Sequence, residues 1–175
     1  IIRYFKQKYE QDAPQFYEAG LDFNQLYNLL EGDSASIATA VAYLSSFSNI
    51  SIKQNIAVTG SMNQRGDAQA VGGINEKIEG FYRLCKEQGL TGDQGVIIPK
   101  ANEQSLMLDK ELIDDVKKER FHIYAISKLD DALEILTDES AEEVHNKVRG
   151  KLEKYSQGHI KSVYDILKAF IREDN

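Results

Sequence analysis

Apolar side chains at positions 74, 78, 81, 82, 84 and 85 recur at the spacing of a helix with one buried face, and Gly72-Gly73 just before them ends whatever precedes. This predicts a helix over 74–88 with Lys77 in its first turn. Upstream, residues 34–47 run through Ala35, Ile37, Ala38, Ala40, Val41, Ala42 and Leu44 almost without charge, which predicts a helix buried on most sides that begins at Ser34. Between the two helices the rhythm changes. Residues 55–60 form a short apolar run, a Gly/Asn-rich turn through Arg65-Gly66-Asp67 follows, and residues 68–71 make a second strand, so a hairpin is expected. Residues 95–99 predict a short, fully buried strand, and 121–126 predict another strand. Helices are expected near 103–108 and 110–119, and Ser127 to Asp130 has the spacing of a capping box for a helix through Leu136.

The two ends read differently. Residues 1–9 predict the tail of a helix ended near Pro14, because proline disfavours helical geometry in the residue before it. Residues 16–30 alternate loosely and predict an extended segment. Residues 139–155 and 159–172 predict a charged two-helix tail broken around Ser156-Gln157-Gly158, whose apolar faces (Val144, Val148, Leu152; Val163, Leu167, Phe170) must pack on the body or on a neighbouring subunit. Strand and helix alternate from 55 to 136, which favours an α/β domain with a hairpin mixed into a partly parallel sheet. The expected division is a body over 1–136 and a helical extension over 137–175.

Composition narrows the partners. With 175 residues the chain fits one domain able to bury roughly 70% of its unfolded surface. Its net charge of −7, from 21 basic and 28 acidic residues, argues against nucleic acid or an anionic membrane as a partner. The single cysteine, Cys85, has no internal disulfide partner, lies at an apolar helical position and suits a reducing cytoplasm. No apolar run has the length of a membrane span and no basic-then-apolar leader opens the chain, so a soluble protein is expected. The chain begins at Ile1 in mid-pattern, which suggests a fragment of a longer polypeptide.

Chemistry gathers at Ser34 and Lys77. A serine hydroxyl needs a base to become a nucleophile, and a lysine amine serves when its surroundings keep it neutral. Ser and Asp are also the commonest helix caps, so Asp33-Ser34 alone is ordinary. A serine at a helix start nevertheless has N–H groups and the positive dipole end beside it, where an oxyanion would form. Lys77 would need its pKa lowered to roughly 7–8, and desolvation against the helix of residues 35–47 is the available cause. Thr59 at a strand end could orient the amine, although a β-branched strand residue is its plain reading. His122, His145 and His159 are too scattered for a histidine triad or a metal site. Residues 60–66 lack the Gly-Lys-Ser/Thr ending of a phosphate loop, so no cofactor and no ATP site is expected here.

Five elements in order carry a family resemblance: Glu31-Gly32-Asp33-Ser34-Ala35-Ser36, Ile56-Ala57-Val58-Thr59-Gly60, Arg65-Gly66, Val71-Gly72-Gly73-Ile74-Asn75-Glu76-Lys77, and Val96-Ile97-Ile98-Pro99-Lys100-Ala101-Asn102. From about residue 30 to 136 the chain resembles the proteolytic domain of Lon-type ATP-dependent proteases. The resemblance implies the Lon proteolytic-domain fold with Ser34 as nucleophile, Lys77 as general base and Thr59 positioning its amine, supported by Gly32, Asp33 and Ala35. It also implies a homohexameric ring below AAA+ ATPase modules that deliver unfolded protein or peptide substrates, with ATP used outside this segment. The family's N-terminal strands are expected to precede Ile1. Asp33 before the serine and Ala35-Ser36 after it resemble the archaeal-type and shorter bacterial branches, and the Gly-Leu-Thr-Gly of residues 89–92 resembles Lon-related bacterial proteins whose ATPase part is atypical. An ion pair of Asp33 with Lys77 would hold the amine charged and the site at rest. The rival expectation is an inactive Lon-like assembly or chaperone module.

Overall fold

The computed structural model describes residues 1–9, 20–21 and 32–173, with backbone alone at 158–162 and 165–173. Its elements in chain order are α1 (Ile2–Tyr9), α2 (Ser36–Ser48), β1 (Ile56–Val58), β2 (Ser61–Met62), β3 (Ala68–Gln69), α3 (Ile74–Gln88), β4 (Gly95–Pro99), a 3-10 helix (Lys100–Ser105), α4 (Lys110–Lys117), β5 (His122–Ile126), α5 (Leu129–Thr137) and α6 (Ala141–Glu173). The extended segment expected over 16–30 lies almost wholly outside the described residues.

Successive side chains of a strand point to opposite faces, and β4 uses both. Ile97 enters one core with α1, α2, α5 and α6, whereas Val96 and Ile98 enter a second with α3 and α4. β1 and β5 flank β4, both parallel to it, with Val58 opposite Ile97 and Ile97 opposite Tyr124. The result is an α/β domain, as the alternation of strands and helices predicts, with helices on both faces of the parallel sheet. In α2 the buried residues Ile37, Ala40, Val41, Leu44 and Phe47 hold helical spacing and face α5 and α6. In α3 the buried stripe is Ile74, Ile78, Tyr82 and Cys85, and burial pushes the Cys85 thiol pKa up, as befits a packed rather than reactive cysteine.

Several expectations need correction. The hairpin pairs β2 with β3 as a separate two-stranded ribbon instead of joining the parallel sheet. The cause is Gly60: its N–H donates to the Ser34 carbonyl and its own carbonyl accepts from Ile37, so the chain leaves the β4 ladder after Thr59. The helix expected from Ser34 begins at Ser36, and the one expected near 103–108 is the 3-10 turn of residues 100–105. At α5 the capping acid is Asp131, not Asp130; it accepts from the N–H groups of Ser127 and Lys128. The tail is one continuous helix, because an isolated glycine costs a helix only about 1 kcal/mol relative to alanine and Gly158 lies inside a sustained pattern. Its first turns belong to the body: Val144, Val148 and Leu152 are buried against the α2 side of the core, and Lys151 donates to the Ser46 carbonyl.

Candidate active site

Ser34 lies on the turn that leads into α2, and two main-chain bonds hold that turn. Gly60 N–H donates to Ser34 O at 2.8 Å, and Ile37 N–H donates to Gly60 O at 3.2 Å. Gly60 is required by close approach: a Cβ there would sit 2.6 Å from Ile37 Cδ1 and 3.1 Å from the Pro99 ring. Thr59 N–H meanwhile donates to Ile97 O at 3.0 Å, which ties the same segment to β4. The nucleophile candidate is thus fixed to the central strand through one short stretch of backbone.

Ser34, Ala35, Ala57, Val58, Thr59, Lys77 and Val96 line one open pocket of about 300 Å³. Three elements far apart in sequence therefore bring together the serine, the threonine and the lysine singled out by their chemistry. Ser34 is half-buried, Thr59 is buried and Lys77 is exposed. The Thr59 hydroxyl donates to the Ser34 carbonyl at 3.4 Å, so it supports the turn that carries Ser34. Gly32 precedes that turn with a φ of +83°, and Ala35 directly precedes the first residue of α2.

α2 does not cover Lys77, for a topological reason. α2 and α3 pack on opposite faces of the sheet, so α2 cannot cover the first turn of α3. Ile74 and Ile78 take that turn's buried side and leave Lys77 outward. The expected ion pair of Asp33 with Lys77 is absent too. The Asp33 carboxylate accepts from the Ser61 hydroxyl at 2.5 Å, and Ser61 is buried on the strand that follows Gly60. The expectation that helix N–H groups stand ready for an oxyanion also changes, since those of Ser36 and Ile37 donate to the carbonyls of Asp33 and Gly60.

Sequence reasoning missed Ser61, although its place directly after Thr59-Gly60 was a signal. It also missed the roles of Asn75 and Asn102, both inside the quoted motifs. Asn102, buried, grips Val71 with both ends of its side-chain amide, and Asn75 bonds the chain at Ser105 and Met107. His122 and His145 lie elsewhere. His122 bonds the Gly92 carbonyl, and His145 is buried between Asp130 and the Tyr9 hydroxyl, where it joins α1, α5 and α6. Among the described residues no group of three or more His, Cys, Asp or Glu side chains could hold a metal ion, and no helix is long and apolar enough to cross a membrane.

The comparisons with known proteins identify the family. Residues 29–139, well over half of the chain, match the family model for the Lon protease (S16) C-terminal proteolytic domain. A Lon protease homolog of Escherichia coli (strain K12) is 47% identical over 127 residues, covering 73% of this chain and 21% of the relative. An archaeal Lon protease of Thermococcus kodakarensis is 35% identical over 150 residues, covering 85% of this chain and 22% of the relative. The chain thus spans about one fifth of the length of these relatives. With Ser34, Thr59 and Lys77 all inside the matched segment, the chain belongs to the Lon protease family through its C-terminal proteolytic domain.

Proposed function

We propose that this domain is a serine endopeptidase in which Ser34 is the nucleophile and Lys77 the general base. The observation that carries the reading is the single pocket lined by Ser34, Thr59 and Lys77 inside a Lon proteolytic domain. In the proposed reaction the neutral Lys77 amine takes the Ser34 hydroxyl proton as Oγ bonds to the scissile carbonyl carbon. The resulting oxyanion is met by N–H groups of the Ser34-Ala35 turn. Collapse breaks the C–N bond, and the Lys77 ammonium returns its proton to the leaving amine. Water, deprotonated by the same amine, then splits the acyl-enzyme and restores Ser34.

Because Lys77 is exposed, the neutral amine needs a further cover. A bound extended substrate or a neighbouring copy in a ring would supply it. This fits the further proposal that the domain works on unfolded protein or peptides as part of a longer, hexameric, AAA+-linked protein that consumes ATP elsewhere and resides in the cytoplasm. The same exposure favours a second reading, a Lon-like assembly or chaperone module without turnover. Hydrolysis of an unfolded protein by the full-length protein and its Ser34→Ala variant decides between them. Cleavage lost in the variant is expected; equal cleavage by both overturns the assignment, and no cleavage or Ser34 acylation by either leaves the second reading.

A further inference from the structure

We infer that Asn102 and Asn75 are positioning residues for Lys77: together they lock the start of α3 to β4, the strand to which the Ser34 turn is also tied. The inference rests on the reading of Lys77 as the general base. Asn102 lies in the 3-10 turn directly after β4 and is 5% exposed. Its Oδ1 accepts from the Val71 N–H and its Nδ2 donates to the Val71 carbonyl, both at 3.0 Å, so one amide holds both polar groups of one residue. Val71 is the last residue before Gly72-Gly73, and Gly73 enters α3 with a φ of +64°. Two glycines without this grip would leave the entry to α3 with wide conformational freedom.

Asn75 closes the arrangement from the other side. Its Oδ1 accepts from the Met107 N–H at 2.9 Å and its Nδ2 donates to the Ser105 carbonyl at 3.3 Å. The segment after β4 thus holds the chain before Lys77 at Val71 and at Asn75, while burial of Ile74 and Ile78 fixes the helix's rotation. Ser34 is tied to the same β4 through Gly60 and the Thr59–Ile97 bond. β4 is the shared support of the two reacting groups, and the asparagines carry the lysine's half of it. A shift of about 1 Å between such groups is enough to cost a reaction on the order of a hundredfold.

The test compares Asn102→Asp, Asn75→Ala, Lys77→Ala and Val148→Ala in the full-length protein by peptide hydrolysis and by pH-dependent Ser34 acylation with a small serine-directed probe. Asn102→Asp keeps the acceptor for the Val71 N–H but sets a carboxylate oxygen against its carbonyl. Asn75→Ala frees groups that water reaches, and so keeps the fold if Asn102→Asp does not. Both are expected to lower kcat and the acylation rate about tenfold or more, with KM within about twofold and the pH midpoint displaced. Val148→Ala, in the opposite core, should lower thermal stability without moving the midpoint. Wild-type rates in folded asparagine variants, or a loss that only follows the folded fraction as in Val148→Ala, would overturn the inference while an inert Lys77→Ala upheld the base. Wild-type acylation by Lys77→Ala overturns the reading of Lys77, and the inference with it.

Discussion

The hydroxyl of Ser61 donates to the carboxylate of Asp33 at 2.5 Å, so the acid next to Ser34 is held by the strand leaving Thr59-Gly60 and not by Lys77. Asp33→Asn should therefore leave the pH profile of peptide hydrolysis close to that of wild type, since no Asp33–Lys77 ion pair is lost. Ser61→Ala releases the carboxylate, and any pairing it then makes with Lys77 raises the midpoint. Rate profiles of the two single variants and the double variant measure this. A large downward shift in Asp33→Asn alone would mean that the acid faces the lysine in the working state.

Thr59→Val should weaken the site without emptying it. The Thr59 hydroxyl supports the Ser34 carbonyl, while its N–H bond to Ile97 survives the substitution. We expect a kcat loss of about tenfold, against a loss of about a thousandfold or more for Ser34→Ala or Lys77→Ala. Steady-state kinetics with Thr59→Ser as the conservative control checks this ranking, and Thr59→Ser should recover most of the rate.

Gly60→Ala tests the joint itself. The added methyl meets the fully buried Ile37 side chain and the Pro99 ring, and the joint has to open to accept it. A destabilisation of about 1–3 kcal/mol is expected from overpacking, with a loss of activity larger than the unfolded fraction explains. Denaturant unfolding and peptide hydrolysis on the same sample separate the two effects.

The Asp115 carboxylate offers a pH signature far from the pocket. The hydrogen bond from the Tyr82 hydroxyl holds it below its ordinary value of 3.8, burial opposes that shift, and Arg120 adds to it. A depressed carboxylate contributes stability that is fully present above its unfolded pKa and is lost as pH falls through the folded one. Wild-type stability should therefore decline below about pH 4, and Asp115→Asn should flatten that decline. Near neutral pH, Asp115→Ala should cost about 2 kcal/mol, because the buried Tyr82 hydroxyl loses its acceptor while the exposed Arg120 turns to water. Chemical denaturation across the acid range reads both.

The sequence by itself determined what short-range physics controls. The periodicity of residues 74–88 and the apolar run of 95–99 specify α3 and β4, because burial of one helix face or of a whole strand is written into residue order. Motif spacing also carried Ser34, Thr59 and Lys77, and these line one pocket. Tertiary structure decided everything that depends on which face of the sheet an element takes. It set α2 and α3 on opposite faces and so left Lys77 exposed, gave Asp33 to Ser61, and made Asn102 and Asn75 the links between β4 and α3. None of these follows from residue order, because each joins groups many positions apart whose meeting is fixed only when the parallel strands pair and the two cores close around them.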